Sequence, residues 1–337
     1  MSKHFRVNSL IAGKLVELGL DPADVLRSAG LPGGLLALPK VYVTTEELFA
    51  LWRAIGASSG DPAIGLKLGS EDRIARYDPI AIAALYTPTF GEALQRMARY
   101  KQLTCPEEIR IVSGSDETCV QFCWLLATDE EPACLVDLCF AWVLSIARRG
   151  TGVRVAPSRI ELMRPRAHAR VLEQHFRCPV EFGAGGNAMY FRNDELRRPF
   201  LTHNAELLAM IAPQLEQELR ERDAAEHFPD RIRRILKRQL AGQRPTLQVL
   251  ARELKMSARS LQRRLTAEGT SFQQALEEAR RELARHYLIH SSLELNETAY
   301  LLGYEDANSF VRAFRTWEGV PPAAWRASQR AEVPAFG

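Results

Sequence analysis

The stretch LQVLARELKMSARSLQRRL, Leu247 to Leu265, is nearly repeated as LNETAYLLGYEDANSFVRAF, Leu295 to Phe314. This duplication constrains the fold more than any other feature of the chain. In the first copy Leu247, Leu250, Ala251 and Leu254 fall at i, i+3, i+4 and i+7, and Leu261 and Leu265 follow at i and i+4. That spacing lines one face of a helix, then one face of a second helix across a turn. The second copy sets Ala299 and Leu302 before its turn and Phe310 and Phe314 after it. Ala251 to Leu261 is ten positions and Ala299 to Phe310 eleven, so the copies differ by one residue at the turn. Gly303 supplies the left-handed backbone such turns use, and Ser257 and Asp306 are placed to cap the two second helices.

Each copy therefore reads as a helix-turn-helix whose first helix carries a small Ala where the two helices cross. The second helices present Arg259, Gln262 and Arg263 in one copy, and Asn308 and Arg312 in the other. Arg can donate two hydrogen bonds to guanine, and Asn or Gln can pair in the same way with adenine. A major groove of double-stranded DNA is the surface that such a face fits. An ordinary helical bundle with solvated Arg and Gln shares the periodicity; the paired caps and outward polar faces favour the DNA reading. Candidate DNA-binding residues are Ser257, Arg259, Gln262, Arg263, Asp306, Asn308 and Arg312.

From about Asp230 to Arg326, closing with GVPPAAWR, the chain resembles the DNA-binding domain of AraC/XylS-type transcription regulators. The resemblance implies two helix-turn-helix units joined by a long helix and entering successive major grooves. A connector is present in the residues, since Phe272, Leu276, Ala279, Leu283 and Tyr287 form one apolar stripe at helical period. The first recognition helix matches SARSLQRR and the second DANSFVRAF. Ala307 departs from the commoner polar contact, which leaves base reading there to Asn308 and Arg312 or to phosphate and shape.

Charge is divided between the two parts of the chain. Residues 230–326 carry 17 Lys and Arg against 11 Asp and Glu, whereas the first 229 carry 26 against 29. The positive excess is thus confined to the segment that must meet phosphates, and the acidic front half is not expected to bind nucleic acid.

The front reads as mixed helix and strand. Helices are expected at 10–18, 22–29, 45–58, 90–101, 132–149, 167–175 and 204–222, and strands at 108–113, 118–125, 159–163 and 188–191, with Gly114 to Glu117 as a hairpin turn. The expected fold is an α+β N-terminal effector-binding and dimerisation domain, residues 1–222, followed by a linker at 223–229. An all-α tandem helix-turn-helix domain spans 230–328, and 329–337 form a tail. LGLDPADVLRSAGLP, DPAIGLKLG, TFGEALQRMARY and FRNDELRRPF are similar to the sensor domain of the ornithine-utilisation-type branch of the same family. That resemblance implies a small-molecule effector and help in dimerisation; the sugar-binding cupin type suits a helix-rich front half less well. Leu207, Leu208, Ile211, Leu215 and Leu219 form a stripe on the 204–222 helix that could either pack on its own domain or join a homodimer.

No catalytic constellation stands out. His168, His175, His203 and His227 lack metal-site spacing, there is no G-x-S-x-G, and GAGGN at 183–187 lacks the context of a dinucleotide loop and reads as a turn. The Cys105-Pro106 pair lacks an argued base, and Trp52, Trp124, Trp142, Tyr77 and Tyr86 could line a ligand cavity or belong to the core. No cofactor, metal or enzyme activity is expected. The run CLVDLCFAWVLSIA is too short for a bilayer, the six Cys show no Cys-x-x-Cys spacing, and no secretory signal opens the chain. A cytoplasmic, effector-responsive DNA-binding regulator follows, activator rather than repressor by family habit, with RNA polymerase as a further partner if it activates. A DNA-tethered enzyme and a constitutive DNA binder without ligand are the alternatives.

Overall fold

The computed structural model describes residues 5–7, 10–38, 41–70, 77–105, 107–124, 127, 129–225, 227–240, 243–290 and 293–332. Backbone proximity divides the chain between Arg222 and Asp223 into two compact units.

The front unit is α+β. A short ribbon pairs β1 (Phe5–Val7) antiparallel with β2 (Val41–Val43). The main sheet holds five strands: β3 (Glu107–Ser113), β4 (Glu117–Trp124), β5 (Arg159–Leu162), β6 (Val180–Phe182) and β7 (Ala188–Arg192), in the order β3-β4-β7-β5-β6. Among the described strands only β5 and β6 run parallel. Ten helices surround these strands: α1 (Leu10–Glu17), α2 (Pro22–Ser28), α3 (Thr45–Ser59), α4 (Ile64–Gly69), α5 (Pro79–Leu85), α6 (Phe90–Tyr100), α7 (Ala133–Thr151), α8 (Ala169–Phe176), α9 (Asn193–Leu196) and α10 (Ala205–Ala225). Such an open mixed sheet is not a cupin barrel.

Three features fix the packing near the sheet. Alternation along β4 buries Thr118, Val120 and Phe122 on the face that meets α7, where Phe122 lies 5.9 Å from Phe140 between ring centres. Gly65 and Gly69 let α4 run against α7 backbone to backbone, since a methyl group at either would overlap the carbonyl oxygen of Cys134 or Leu138. The middle of the expected 204–222 stripe turns inward: Leu215 is 2% exposed and packs with Ile80, Ala83 and Tyr100, joined by Leu208 and Ile211, whereas Leu207 stays exposed. Arg99 and Tyr100 of α6 bind Glu216 of α10 at 2.6–2.7 Å. Leu215 is therefore spent on its own domain and is not available as a dimer contact.

The strands expected from alternation are present, with ends that differ by a residue; Leu125, expected to end β4, lies outside the described residues. The short elements α4, α5 and β6 carry too few residues to show a period and were not expected.

The second unit is all-α: α11 (Phe228–Gln239), α12 (Leu247–Glu253), α13 (Ala258–Ala267), α14 (Phe272–His290), α15 (Leu295–Leu301), α16 (Ala307–Glu318) and α17 (Pro322–Glu332). Its core gathers Ile232 and Leu236 of α11, Leu250 and Ala251 of α12, Leu261 and Leu265 of α13, Ala279 and Ala284 of α14, and Phe310 and Phe314 of α16. The connector α14 buries more than the expected stripe, adding Ala275, Ala284 and Leu288, because other helices pack around it. Two expectations need correction. Residues 223–225 continue α10 and Phe228 opens α11, so most of the expected linker is helical; Pro229 sits in the first turn, where its missing N–H costs nothing. The expected tail begins inside α17, which runs to Glu332, and 333–337 lie outside the described residues.

Candidate nucleic-acid interface

The two helix-turn-helix units are built alike down to the backbone of their turns. Four positions after its buried Ala, each copy enters left-handed backbone: Lys255 at φ 53° after Ala251, and Gly303 at φ 71° after Ala299. The extra residue of the second copy lies between that position and the cap, where Tyr304 and Glu305 stand against Met256 alone. Ser257 then accepts the Ser260 N–H at 3.1 Å, and Asp306 accepts the Ser309 N–H at 2.8 Å. These bonds satisfy amides that a helix start leaves without partners. The Ser309 amide and hydroxyl hold the Asp306 carboxyl below its ordinary range.

Behind the recognition helices the apolar residues are sealed, with Leu261, Phe310 and Phe314 each 0% exposed. Arg259, Gln262 and Arg263 are exposed on α13 at i, i+3 and i+4; Asn308 and Arg312 are exposed on α16 at i and i+4. Ser257 and Asp306 are also exposed, but both oxygens are committed to capping. Arg264, next to Arg263 in sequence, turns away and lays its guanidinium 4.0 Å from the centre of the Phe228 ring. Arg315, exposed at i+7 from Asn308, extends the face of α16, and sequence reasoning missed it. The 3.6-residue period from Asn308 would have found it.

The connector is tied to the second unit rather than merely leading to it. Arg280 of α14 donates to the carbonyls of Leu302 at 3.0 Å and Gly303 at 3.1 Å, and its guanidinium lies 4.5 Å from the centre of the Tyr304 ring. Arg281 and Arg285 grip the nearly buried Glu318 carboxylate at the end of α16, at 2.8–2.9 Å. The second helix-turn-helix is thereby held at both its turn and the end of α16 on the connector.

In the front unit no group of three or more His, Cys, Asp or Glu among the described residues could hold a metal ion. His203 contacts the Tyr86 carbonyl, His227 faces Glu268, and all six cysteines are free thiols. Trp52 and Tyr77 are core residues, whereas Trp124 and Trp142 keep partial exposure.

The family profile described as the arabinose-binding domain of AraC transcription regulator, N-term, matches residues 19–200, and a helix-turn-helix domain profile matches 250–328. The ornithine utilization regulator of Pseudomonas aeruginosa is 31% identical over 314 residues, covering 93% of this chain and 92% of its own length. This chain belongs to the AraC family of transcription regulators. The regulator is also 26% identical over 325 residues to the transcriptional regulator VirS of Mycobacterium tuberculosis, with 92% of each chain covered. A crystal structure of the transcriptional regulator CdpR from Pseudomonas aeruginosa, 23% identical, aligns over 94% of this chain and 96% of its own with a TM-score of 0.45. Relatives matched along nine-tenths of an AraC-family chain are regulators by name, which makes this protein a DNA-binding regulator and not an enzyme. Among the described residues no helix is long and apolar enough to cross a membrane.

Proposed function

We propose that this AraC-family regulator reads a two-groove operator through Arg259, Gln262 and Arg263 of α13 and Asn308 and Arg312 of α16, under control of a small molecule bound in the front unit. The observation that carries the reading is the exposure of both polar faces above fully sealed apolar positions, in two turns of matching backbone. A front unit with its own core, an acidic balance and no metal-competent cluster among its described residues is a suitable seat for a ligand that shifts the population of DNA-competent states. The name of the Pseudomonas relative connects that protein with ornithine utilisation and supports a nitrogen-containing metabolite as the effector class here. Action in the cytoplasm as a homodimer, and activation through RNA polymerase, complete the proposal.

Footprinting beside circular dichroism tests it. Arg263→Ala weakens specific binding by about 1 to 3 kcal/mol in a folded protein, as loss of a base contact does. Leu261→Ala empties a buried position between helices at about 2 to 5 kcal/mol and disrupts the module itself. Undiminished affinity in the folded Arg263 variant would remove that residue from the reading face, and sedimentation of the full chain with and without operator decides the homodimer.

A further inference from the structure

One end of the main sheet carries charged groups on its inner face, beside the apolar Ile109, Val120 and Phe122. Glu107 opens β3 directly across from Trp124 at the end of β4, in register with the Ile109–Phe122 pair on the face that meets α7. The Glu107 side chain is 0% exposed and pairs with Lys101 at 2.8 Å. Lys101 in turn lies 5.3 Å from the ring centre of Trp142 and 5.8 Å from that of Phe122. Burial works against its charge, but the groups packed around it more than reverse this, with Glu107 as its ion-pair partner. Burial also pushes the Cys105 thiol up to about 11 and raises Cys139, so both are protonated at neutral pH, and Glu107 is the group that pairs with Lys101.

A second carboxylate stands beside this pair, within reach of the Lys101 charge but without an ion pair of its own. Glu131, in the loop before α7, accepts from the indole N–H of Trp124 at 2.9 Å and from the amide of Asn187 at 3.1 Å. Asn187 is held for this task, because its oxygen accepts the Met163 N–H at 3.0 Å; this is what the GAGGN turn delivers. Both donors to Glu131 are neutral, and among the described residues no Lys, Arg or His forms an ion pair with it. Burial, with the nearby charge of Glu107, pushes the carboxyl up to about 8 despite the two donors and the more distant charge of Lys101. Asp78, also raised by burial, Cys123, Cys105 and Cys139 are further titratable groups around the cluster, and the Arg110–Glu108 ion pair lies beside Cys123. Trp124, Glu131, Trp142 and Asn187 all keep partial solvent contact, so the cluster is not sealed.

We propose that this cluster binds the effector through a cationic nitrogen, which pairs with the Glu131 carboxylate beside the indole of Trp124. A protonated amine supplies the charge that Trp124 and Asn187 cannot, and indole faces favour a desolvated cation. The inference deepens the effector reading above and rests on it.

Full-length protein is titrated at pH 7 with n-butylamine, 1,4-diaminobutane, n-butyrate and n-butanol, followed by calorimetry and thermal shift. The two amines bind and stabilise; the acid and the alcohol do not. Glu131→Gln weakens amine binding by about tenfold or more, the scale expected when a polar partner is lost from a site built for it. Calorimetry in buffers of different ionisation enthalpy shows a proton released on binding, because Glu131 must ionise. That measurement needs only the wild type and stands even where the variant does not fold. Equal binding of butyrate or butanol, undiminished binding by a folded Glu131→Gln protein, or binding without proton release each overturns the proposal. No amine binding at all retires the site and leaves the effector reading to another ligand. Amine binding at Glu131 that leaves operator affinity unchanged retires the effector role and keeps the site.

Discussion

Lys255 occupies backbone that its counterpart Gly303 adopts without steric cost. At φ 53° a lysine is strained, by about 1 to 2 kcal/mol for an ordinary side chain in left-handed backbone. Lys255→Gly is therefore expected to raise the thermal midpoint of the DNA-binding unit, by an amount equivalent to about 1 kcal/mol once the greater entropy of the unfolded glycine is offset. A lowered midpoint would show that the Lys255 side chain stabilises the turn by more than its backbone costs. Gly303→Ala runs the other way, because added carbon meets both the left-handed backbone and the Gln243 carbonyl. At this scale much was legible: caps, the glycine of the second turn and the outward polar set all follow from spacing and residue type. Lys255 was not, because a lysine in a turn advertises nothing about φ. Glu107 was missed for a related reason: the expected strand began one residue later, which hid a carboxylate sharing the inner face with Ile109.

Between elements, two contacts carry distinct, measurable consequences. Gly69→Val in α4 forces side-chain carbon into the Leu138 carbonyl and the Ala141 methyl, so α4 must lift from α7. Overpacking of this kind costs about 1 to 3 kcal/mol, which urea denaturation of the full chain measures against wild type. Glu216 ties α10 to α6 through Arg99 and Tyr100, and Arg99 chiefly holds its carboxyl down to about 2, against an ordinary 4.5. A lowered folded-state pKa stabilises fully above the ordinary value and is lost as pH falls toward the folded one. Glu216→Gln is thus expected to cost about 1 kcal/mol at pH 7, kept small because Arg99 is half exposed, and the gap to wild type closes between about pH 4.5 and 2. A pH-independent gap would assign the loss to packing instead. Helix α10 also shows where pattern reading stops. Its stripe was plain in the sequence, but a stripe cannot say whether its partner is its own domain or a second chain. Helix α11 was hidden by the opposite effect: Pro229 resembles an interruption, and five basic residues dilute the apolar set of Ile232, Ile235 and Leu236.

For the whole molecule, the division at Arg222 and Asp223 separates two cores that share no residue. A fragment from Phe228 to Gly337 contains the complete second core, and it is expected to fold alone and to bind operator with an affinity that falls steeply as salt rises. Filter binding across an ionic-strength series checks this; a flat dependence would remove phosphate neutralisation as the source of affinity. The tie formed by Arg280, Arg281 and Arg285 has a further consequence for the nucleic acid. With α14 fastened to the second helix-turn-helix by five hydrogen bonds, the setting of α16 on the connector is fixed before any DNA arrives. Where B-form geometry does not match that setting, the duplex is the softer body and must yield. Operator choice should then extend to base pairs that no side chain touches, with easily kinked pyrimidine–purine steps favoured between the two contacted grooves and stiff A-tracts disfavoured.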